Sequence, residues 1–385
     1  MTAGALDAHL GAGFRSSDNL ARNLYCVLGL PIDALEMPSV LQRIDAAAAS
    51  RVAFLISTPN LDFLVQSRSD PQFRETLLSS DLCPADGMPI IWIARLIGLP
   101  VKTKVSGSDI FDALKAPGRL AHQLNVFLFG GAEGVAEAAA TTLNAAPAGL
   151  QSVGTLNPGF STVADMSCDH ILDNINVSNA DFLVVALGAK KGQAWLHRNH
   201  YRLTVPIRVH LGAVINFQAG TVSRAPRWLR TWGLEWLWRI KEEPQLWRRY
   251  FYGGVILLSL LFTRILPLAV ATRWYRLKSR HRPEGLTIEI AYNQASAAIR
   301  VRGAATEPNV ELAIRSFQEV LNAGIKIATL DLSGLVAVDG RFFGLFFMLR
   351  KCLKKQGGEL RFVGVPSSIQ RMFRLHEVNF LLEDA

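Results

Sequence analysis

The chain reads as an α/β protein: a core built on a largely parallel sheet, a basic helical segment suited to a membrane surface, and a smaller second α/β module. Three observations predict this. Between about Asn23 and Leu211, short β-branched runs alternate with helical stretches, the pattern of buried strands linked by crossover helices. Charge is then concentrated: the whole chain carries +9, whereas Arg224 to Arg282 alone holds thirteen Lys/Arg against three Glu, a net +10. Finally, a fresh alternation of strands and helices begins beyond the basic linker Lys278 to Arg282 and Pro283-Glu284-Gly285. A length of 385 residues accommodates such an arrangement, with domains large enough for separate cores. The expected divisions are a tail at 1–20, a core at 21–222, a basic aromatic appendage with a membrane-associating segment at 223–283, and a module at 284–385.

The tail is rich in Ala and Gly and lacks both a basic start and an apolar run, so it does not read as a signal peptide. In the core, Val52 to Ser57, Leu124 to Phe129, Asp181 to Leu187 and Pro206 to Leu211 read as buried strands. Ser39 to Ser50, Pro71 to Ser79, Ile90 to Ile97, Gly134 to Asn144 and Lys191 to His200 read as helices. Cys26, Cys83, Cys168 and Cys352 match no metal or redox spacing, which fits free thiols in a reducing cytoplasm. His197 and His200 sit three apart without a third ligand nearby, so they read as helix surface positions and not as a zinc site.

In a parallel α/β sheet ligands bind beyond the carboxyl ends of the strands. Three such ends carry polar or Gly-rich turns: Thr58-Pro59-Asn60, Gly130-Gly131-Ala132-Glu133-Gly134, and Gly188-Ala189-Lys190-Lys191. Glycines that open a helix let backbone amides approach a diphosphate, although tight strand-to-helix turns use glycine anyway. Asp86-Gly87 places an acid on a turn before a helix, where capping and catalysis are equally good readings.

From Arg224 to Tyr250 arginines and tryptophans interleave, with five of the chain's eight tryptophans. Trp228, Trp232 and Trp236 share one face if the segment is helical. A buried amphipathic helix and an anion-binding surface at a lipid boundary are both open on this evidence. The apolar run Gly253 to Ala271 is interrupted by Arg264 and Pro267, shorter than an uninterrupted span of about 20 residues. With basic residues on both flanks, a segment lying in or dipping into the cytoplasmic leaflet is favoured over a full span or an ordinary buried helix. Nucleic acid is not an expected partner, since no zinc-finger spacing or aromatic RNA-binding signature occurs.

The ordered motifs resemble one family over about residues 22 to 252. They are Thr-Pro-Asn at 58–60, Asp-Gly at 86–87, Val-Ser-Gly-Ser-Asp at 105–109, Phe-Leu-Phe-Gly-Gly at 127–131 and Ala-Leu-Gly at 186–188. Ala-Gly-x-x-x-Arg-Ala-Pro-x-Trp at 219–228, Gly-Leu-Glu-Trp-Leu-Trp-Arg at 233–239 and Arg-Arg-Tyr at 248–250 follow. This set is similar to that of the WecG/TagA/CpsF glycosyltransferases, which attach the second sugar to polyprenyl-diphosphate-linked glycans. The resemblance implies a Rossmann-like core, Asp86 as general base with Thr58 beside it, and a basic appendage that closes over the site and touches the membrane.

The chemistry so implied is an inverting transfer from a UDP-sugar to an undecaprenyl-diphosphate-linked sugar, in bacterial cell-surface polysaccharide (exopolysaccharide) synthesis. One carboxylate takes the acceptor proton and positive charge steadies the departing nucleotide diphosphate. No Asp-x-Asp pair occurs in the chain. Lys104 and Arg224, Arg227, Arg239, Arg248 and Arg249 are the available cations, so metal-independent catalysis without a cofactor is expected. Asn60, Gly107, Asp109, Gly130, Gly131, Gly188, Lys191 and Gln193 complete the expected substrate-binding set. Three positions depart from the family pattern: Lys104 stands where arginine is usual, Lys190-Lys191-Gly192-Gln193 replaces Pro-Lys-Gln-Glu, and Asn216 replaces an aspartate. These changes point to altered sugar preference, because Asp86 and Thr58 are retained.

In the last module, strands at Leu286 to Ala291, Ala298 to Val301, Ile325 to Leu332 and Glu359 to Val363 interleave with helices at Val310 to Ala323, Phe342 to Lys355 and from Ser367. This order resembles the STAS domain of anti-sigma factor antagonists. That family's loop Asp-Ser-Ser-Gly is Asp339-Gly340-Arg341-Phe342 here, with no hydroxyl to phosphorylate. A docking or dimerising role toward a protein partner is therefore expected of the module, and phosphoswitching is not. The competing overall reading is a non-catalytic adaptor at the membrane periphery that scaffolds polysaccharide enzymes. Either way the expected location is the cytoplasmic face of the inner membrane, peripheral or monotopic.

Overall fold

The computed structural model describes residues 20–119, 122–279 and 285–383; the expected tail and most of the linker before Gly285 lie outside them. In chain order, a hairpin of β1 (Leu24–Val27) and β2 (Leu30–Asp33) precedes α1 (Met37–Ser50), β3 (Phe54–Ile56), α2 (Leu61–Ser69) and α3 (Pro71–Leu78). Then come α4 (Met88–Leu96), α5 (Gly107–Lys115), β4 (Leu124–Gly130), α6 (Val135–Ala145), β5 (Leu150–Leu156), α7 (Asp169–Val177), β6 (Phe182–Ala186) and α8 (Ala189–Asn199). β7 (Ile207–His210), α9 (Gly212–Gln218), α10 (Arg227–Thr231), α11 (Glu235–Glu242), α12 (Trp247–Leu260) and α13 (Leu266–Ser279) follow. The last elements are β8 (Leu286–Asn293), β9 (Ser296–Ala305), α14 (Val310–Asn322), β10 (Ile327–Val338), α15 (Gly340–Lys355), β11 (Glu359–Val363), α16 (Ser367–Leu375) and α17 (Phe380–Glu383).

Two compact units are interleaved along the chain: Leu35–Met88 with Thr103–Gly254, and Pro89–Lys102 with 20–34 and 255–383. The first holds a five-stranded sheet in the order β3-β7-β6-β4-β5, with every pairing parallel. Alternating side chains send Phe54, Ile56, Val126, Leu128, Val184 and Val209 to one face, where α1, α5, α6 and α9 cover them. Leu55, Phe127, Phe129, Leu183 and Val185 face the other side, against α7 and α8, with Phe129 and Trp195 4.5 Å apart. The Rossmann-like expectation is met, and all four predicted strands form. β5 escaped the sequence reading because it is an edge strand: Leu150 and Ser152 are buried while Gln151 and Val153 are exposed, so it lacks the continuous apolar run of a central strand.

The basic segment is not one helix. Gly233 at φ 74° separates α10 from α11, so Trp228, Trp232 and Trp236 do not lie along a single helical face, although all three are exposed. The apolar segment, in contrast, is more continuous than its sequence suggested. α12 passes through a π-helical turn at Leu261–Ile265 into α13, and Pro244–Leu277 is, among the described residues, one helix long and apolar enough to cross a membrane. Pro267 has no N–H to give the Thr263 carbonyl, and the Arg264 guanidinium donates to that oxygen instead at 3.2 Å. Arg264 also pairs with Glu377 at 2.5 Å, so its charge is neutralised locally.

The second unit carries a four-stranded sheet, β11-β10-β9-β8, parallel except for the β8–β9 hairpin. Its centre is α15, whose residues from Gly340 through Leu353 are all buried. One side packs phenylalanines on the sheet and α16: Phe343 meets Phe373 at 4.8 Å and Phe346 meets Phe362 at 5.4 Å. The β1–β2 hairpin covers another side. A Cβ on Gly344 would lie 2.2 Å from the Leu24 carbonyl oxygen, so only glycine admits this crossing. Arg341 donates to the same carbonyl at 3.1 Å and stacks over Tyr25, while Tyr25 donates to Glu307 at 2.7 Å. Within the hairpin Arg22 and Asp33 form a buried two-pronged pair.

Asp339 caps α15, accepting from Arg341 and Phe342 N–H groups, and also accepts from Glu307 N–H. At Gly340 a Cβ would sit 3.1 Å from both the Cys26 carbonyl and Leu99. The start of α15 is therefore closed by this chain's own Cys26 carbonyl and Leu99 side chain.

Gly344→Ala forces backbone against backbone, a change of the overpacking class that costs about 1–3 kcal/mol. Hydrogen exchange should then show lost protection at Leu24–Val27 and along α15, with the five-stranded sheet unaffected; unchanged protection of β1 would contradict the hairpin packing.

Candidate active site

A cavity of about 240 Å³ lies at the carboxyl ends of β3, β6 and β7. Thr58, Asn60, Asp62 and Phe63 come from the turn after β3, Gly188 and Ala189 from the turn after β6, and His210 to Val214 from the end of β7. Asp86, Gly107 and Ser108 form another wall, and Arg239 and Arg249 approach from the basic segment. The sequence-predicted Thr58, Asn60, Asp86, Gly107, Gly188, Arg239 and Arg249 are thus brought together although they span nearly two hundred residues of chain.

Local structure explains each placement. Asn60 caps α2, its Oδ1 accepting from Phe63 N–H at 3.1 Å. Ser106 caps α5 and, with Asp109 three residues on, forms a reciprocal cap: Asp109 N–H donates to Ser106 Oγ at 3.1 Å and that hydroxyl donates to Asp109 Oδ2 at 2.6 Å. A Cβ at Gly107 would sit 2.2 Å from Leu211, so glycine lets the start of α5 meet the β7 turn beside Thr58.

Asp109 also gathers cations. Arg224 bonds it at 2.5 Å and Arg230 at 3.3 Å, Lys104 lies at 3.8 Å, and Arg224 additionally pairs with Asp112. Lys104 further bonds Glu235 at 3.1 Å. Burial opposes ionisation of Asp109, but the Ser106 hydroxyl, Lys104, Arg224 and Arg230 together hold its carboxyl below the usual range. Arg239 pairs with Glu243 at 2.5 Å and lies 5.4 Å over the Phe217 ring.

Asp86 is in the opposite condition. Burial pushes its pKa up to about 7; Lys104 and the Gly107 N–H work against that rise, while the charges of Glu235 and Asp109 add to it. A carboxylate so placed titrates near neutrality and is able to accept a proton from a bound hydroxyl. Asp62, the other carboxylate on the wall, already accepts from Gln66 at 2.7 Å.

The remaining predicted residues lie elsewhere. Gly130 and Gly131 do not line the cavity: a Cβ on Gly130 would meet the Ala186 carbonyl at 2.7 Å, so packing of β4 against β6 accounts for that glycine. Lys191 donates to the Ser161 carbonyl at 3.2 Å on the exposed side of α8. Gln193 is fully buried and accepts from Ser57 at 3.1 Å beneath the strand end. Arg248 is exposed and stacks over Trp247, and the side chain of Arg227 is outside the described residues. Sequence reasoning missed His210, Asp62, Arg230 and Glu235. A histidine ending a predicted strand was the available signal for the first.

Comparison with known proteins bears on this geometry. A family model described as "Glycosyl transferase WecG/TagA/CpsF family" matches residues 25–270, and one described as "STAS domain" matches 288–383. A Bacillus spizizenii protein named N-acetylglucosaminyldiphosphoundecaprenol N-acetyl-beta-D-mannosaminyltransferase is 28% identical over 51% of this chain and 74% of its own length. Proteins of the same name from Bacillus subtilis and Staphylococcus aureus are 25% and 23% identical, over 57% and 58% of this chain and 80% and 85% of theirs.

Between the ordinary carboxyl value of 3.8 and about 7, the folded chain holds a proton at Asp86 that the unfolded chain has lost. Stability from this group therefore falls as pH rises through that window. Asp86→Asn should raise the melting temperature at pH 8 by about 2 °C or more and leave it unchanged below about pH 4. A variant that melts lower than the parent at pH 8 would mean the carboxylate is stabilised by ionisation, contrary to this account.

Proposed function

Because the chain belongs to the WecG/TagA/CpsF family of glycosyl transferases, we propose that it transfers a sugar from a UDP-sugar to a polyprenyl-diphosphate-linked sugar, with inversion, during cell-surface polysaccharide synthesis. The relatives' names support an acceptor of the N-acetylglucosaminyl-diphosphoundecaprenol kind. The observation that carries the mechanism is Asp86: a half-buried carboxyl titrating at about 7 in a cavity that Arg239 and Arg249 also line.

In this reading Asp86 takes the proton of the acceptor hydroxyl as that oxygen bonds to the anomeric carbon. The bond from that carbon to the diphosphate oxygen breaks with its electron pair, and UDP departs. Arg239 and Arg249 offset the charge gathering on the leaving diphosphate. Lys104 and Arg224 act one step back, since they do not line the cavity; Lys104 contributes to the field at Asp86, and through Glu235 and Asp109 both hold the basic segment down. Thr58, buried on the wall, orients the acceptor. Charge stabilisation comes from these cations, so turnover needs no divalent metal.

The apolar helix and the exposed Trp228, Trp232 and Trp247 suit a lipid boundary, where the acceptor's polyprenyl chain resides. Basic residues at both ends of that helix favour the anionic cytoplasmic leaflet. The STAS-like module works in cis: its central helix is fastened to the chain's own β1–β2 hairpin, which leaves an outside protein only the module's other faces.

Transfer should be measured with the full chain in detergent, labelled UDP-sugars and a short-chain prenyl-diphosphate-N-acetylglucosamine acceptor. The kcat/KM profile should rise with pH through a midpoint near 7. Asp86→Asn should lower kcat by about 10²–10⁴-fold with UDP binding retained. Retained turnover would remove the base assignment. Activity lost to a chelator and restored by manganese would refute metal independence, and an intact fold that transfers from no UDP-sugar would refute the reading as a whole.

A further inference from the structure

Deepening the reading above, and resting on it, we propose that the His210 imidazole is the sugar-contacting group of the cavity, hydrogen-bonded to a hydroxyl of the transferred sugar, in space that exists only because residue 192 is glycine. Three independent features of the wall support this assignment. His210 ends β7 and lines the cavity together with Thr58 and Asp86. Its Nε2 is buried and has no hydrogen-bond partner, whereas a satisfied structural histidine would have one. Its ring lies against two glycines: a Cβ at Gly192 would fall 2.3 Å from His210 Cδ2, and a Cβ at Gly212 would fall 3.4 Å from Nε2.

The first of those distances is shorter than any real contact, so a side chain at 192 and the imidazole at 210 exclude each other.

The chemistry fits a neutral polyol better than a phosphate. Burial alone pushes the His210 pKa down to about 4, so the ring is uncharged at neutral pH. A neutral imidazole offers one donor and one acceptor, the pair a sugar hydroxyl can use, and brings no positive charge to a diphosphate. Arg239 and Arg249 already supply that charge. A buried nitrogen left unpaired is costly, and a sugar hydroxyl removes that cost on binding whereas UDP alone does not. The residue would thus select for the sugar and not for the nucleotide.

The test is calorimetric binding to the full chain, using UDP, UDP-glucose, UDP-N-acetylglucosamine and UDP-N-acetylmannosamine. For the UDP-sugar that the parent binds best, His210→Ala should lose about tenfold in affinity, the size of one hydrogen bond, while UDP changes by less than about twofold. His210→Gln, which keeps a donor and an acceptor, should recover most of the loss. Gly192→Ala should reproduce it by displacing the ring, and Gly192→Ala combined with His210→Ala should be no worse than His210→Ala alone. Parallel loss of UDP and UDP-sugar, no change in either, or additive losses in the double variant would each overturn the assignment. A parent that binds no UDP at all would instead remove the glycosyl-transfer reading, and this assignment with it.

Discussion

One carboxylate holds the candidate site together. Asp109 stands at the start of α5, is fixed there by Ser106, and collects Lys104 from just before the helix and Arg224 and Arg230 from the basic segment. Without it the first turn of α5 would face a cluster of like charges, and the basic segment would keep only Asp112 as its carboxylate on that helix. Its charge also reaches Asp86. Burial is the main reason that carboxyl titrates near neutrality; Lys104 opposes the rise, and the charges of Glu235 and Asp109 add to it. The arginines closest to Asp109 thus serve architecture, while Arg239 and Arg249 are the ones that reach the cavity.

The C-terminal unit is built around a comparable economy. α15 is buried along fourteen successive residues because the sheet and α16 cover one side and the β1–β2 hairpin another. The same unit holds residues 89–102, with Arg276 donating to the Gly98 carbonyl at 2.7 Å and Leu99 set against Gly340. In sequence, that stretch lies between Asp86 and Lys104, so the chain enters and leaves this unit between those two residues. The STAS-like module thus forms one compact unit with residues 20–34 and 89–102, which lie far from it in sequence.

Much of this was legible in the sequence, for identifiable reasons. The central strands declared themselves because both of their faces are buried, and β-branched runs such as Leu124 to Phe129 follow directly from that. β5 did not, since an edge strand needs only alternate apolar residues. Asp86 and Thr58 were found through motif resemblance. Gln193 stood in a loop that departs from the family pattern and was still expected at the substrate, yet it lies under the strand end bonded to Ser57, on the buried side of α8. The glycines after β4 looked like a phosphate turn, whereas a φ of 96° and the close approach of the Ala186 carbonyl account for glycine at 130.

By itself, then, the sequence determined the alternation that makes a parallel sheet, the concentration of +10 in one segment, and the presence of an acid on a turn ahead of a helix. These are local properties, set by side-chain periodicity and by charge that no burial can hide. Only the tertiary structure decided which cations pair with Asp109, how an apolar run broken by Arg264 and Pro267 becomes one continuous helix, and why the space at Gly192 belongs to His210. Each of those depends on groups distant in the chain arriving within a few ångströms of one another, where desolvation and steric exclusion are settled by neighbours that no local pattern names.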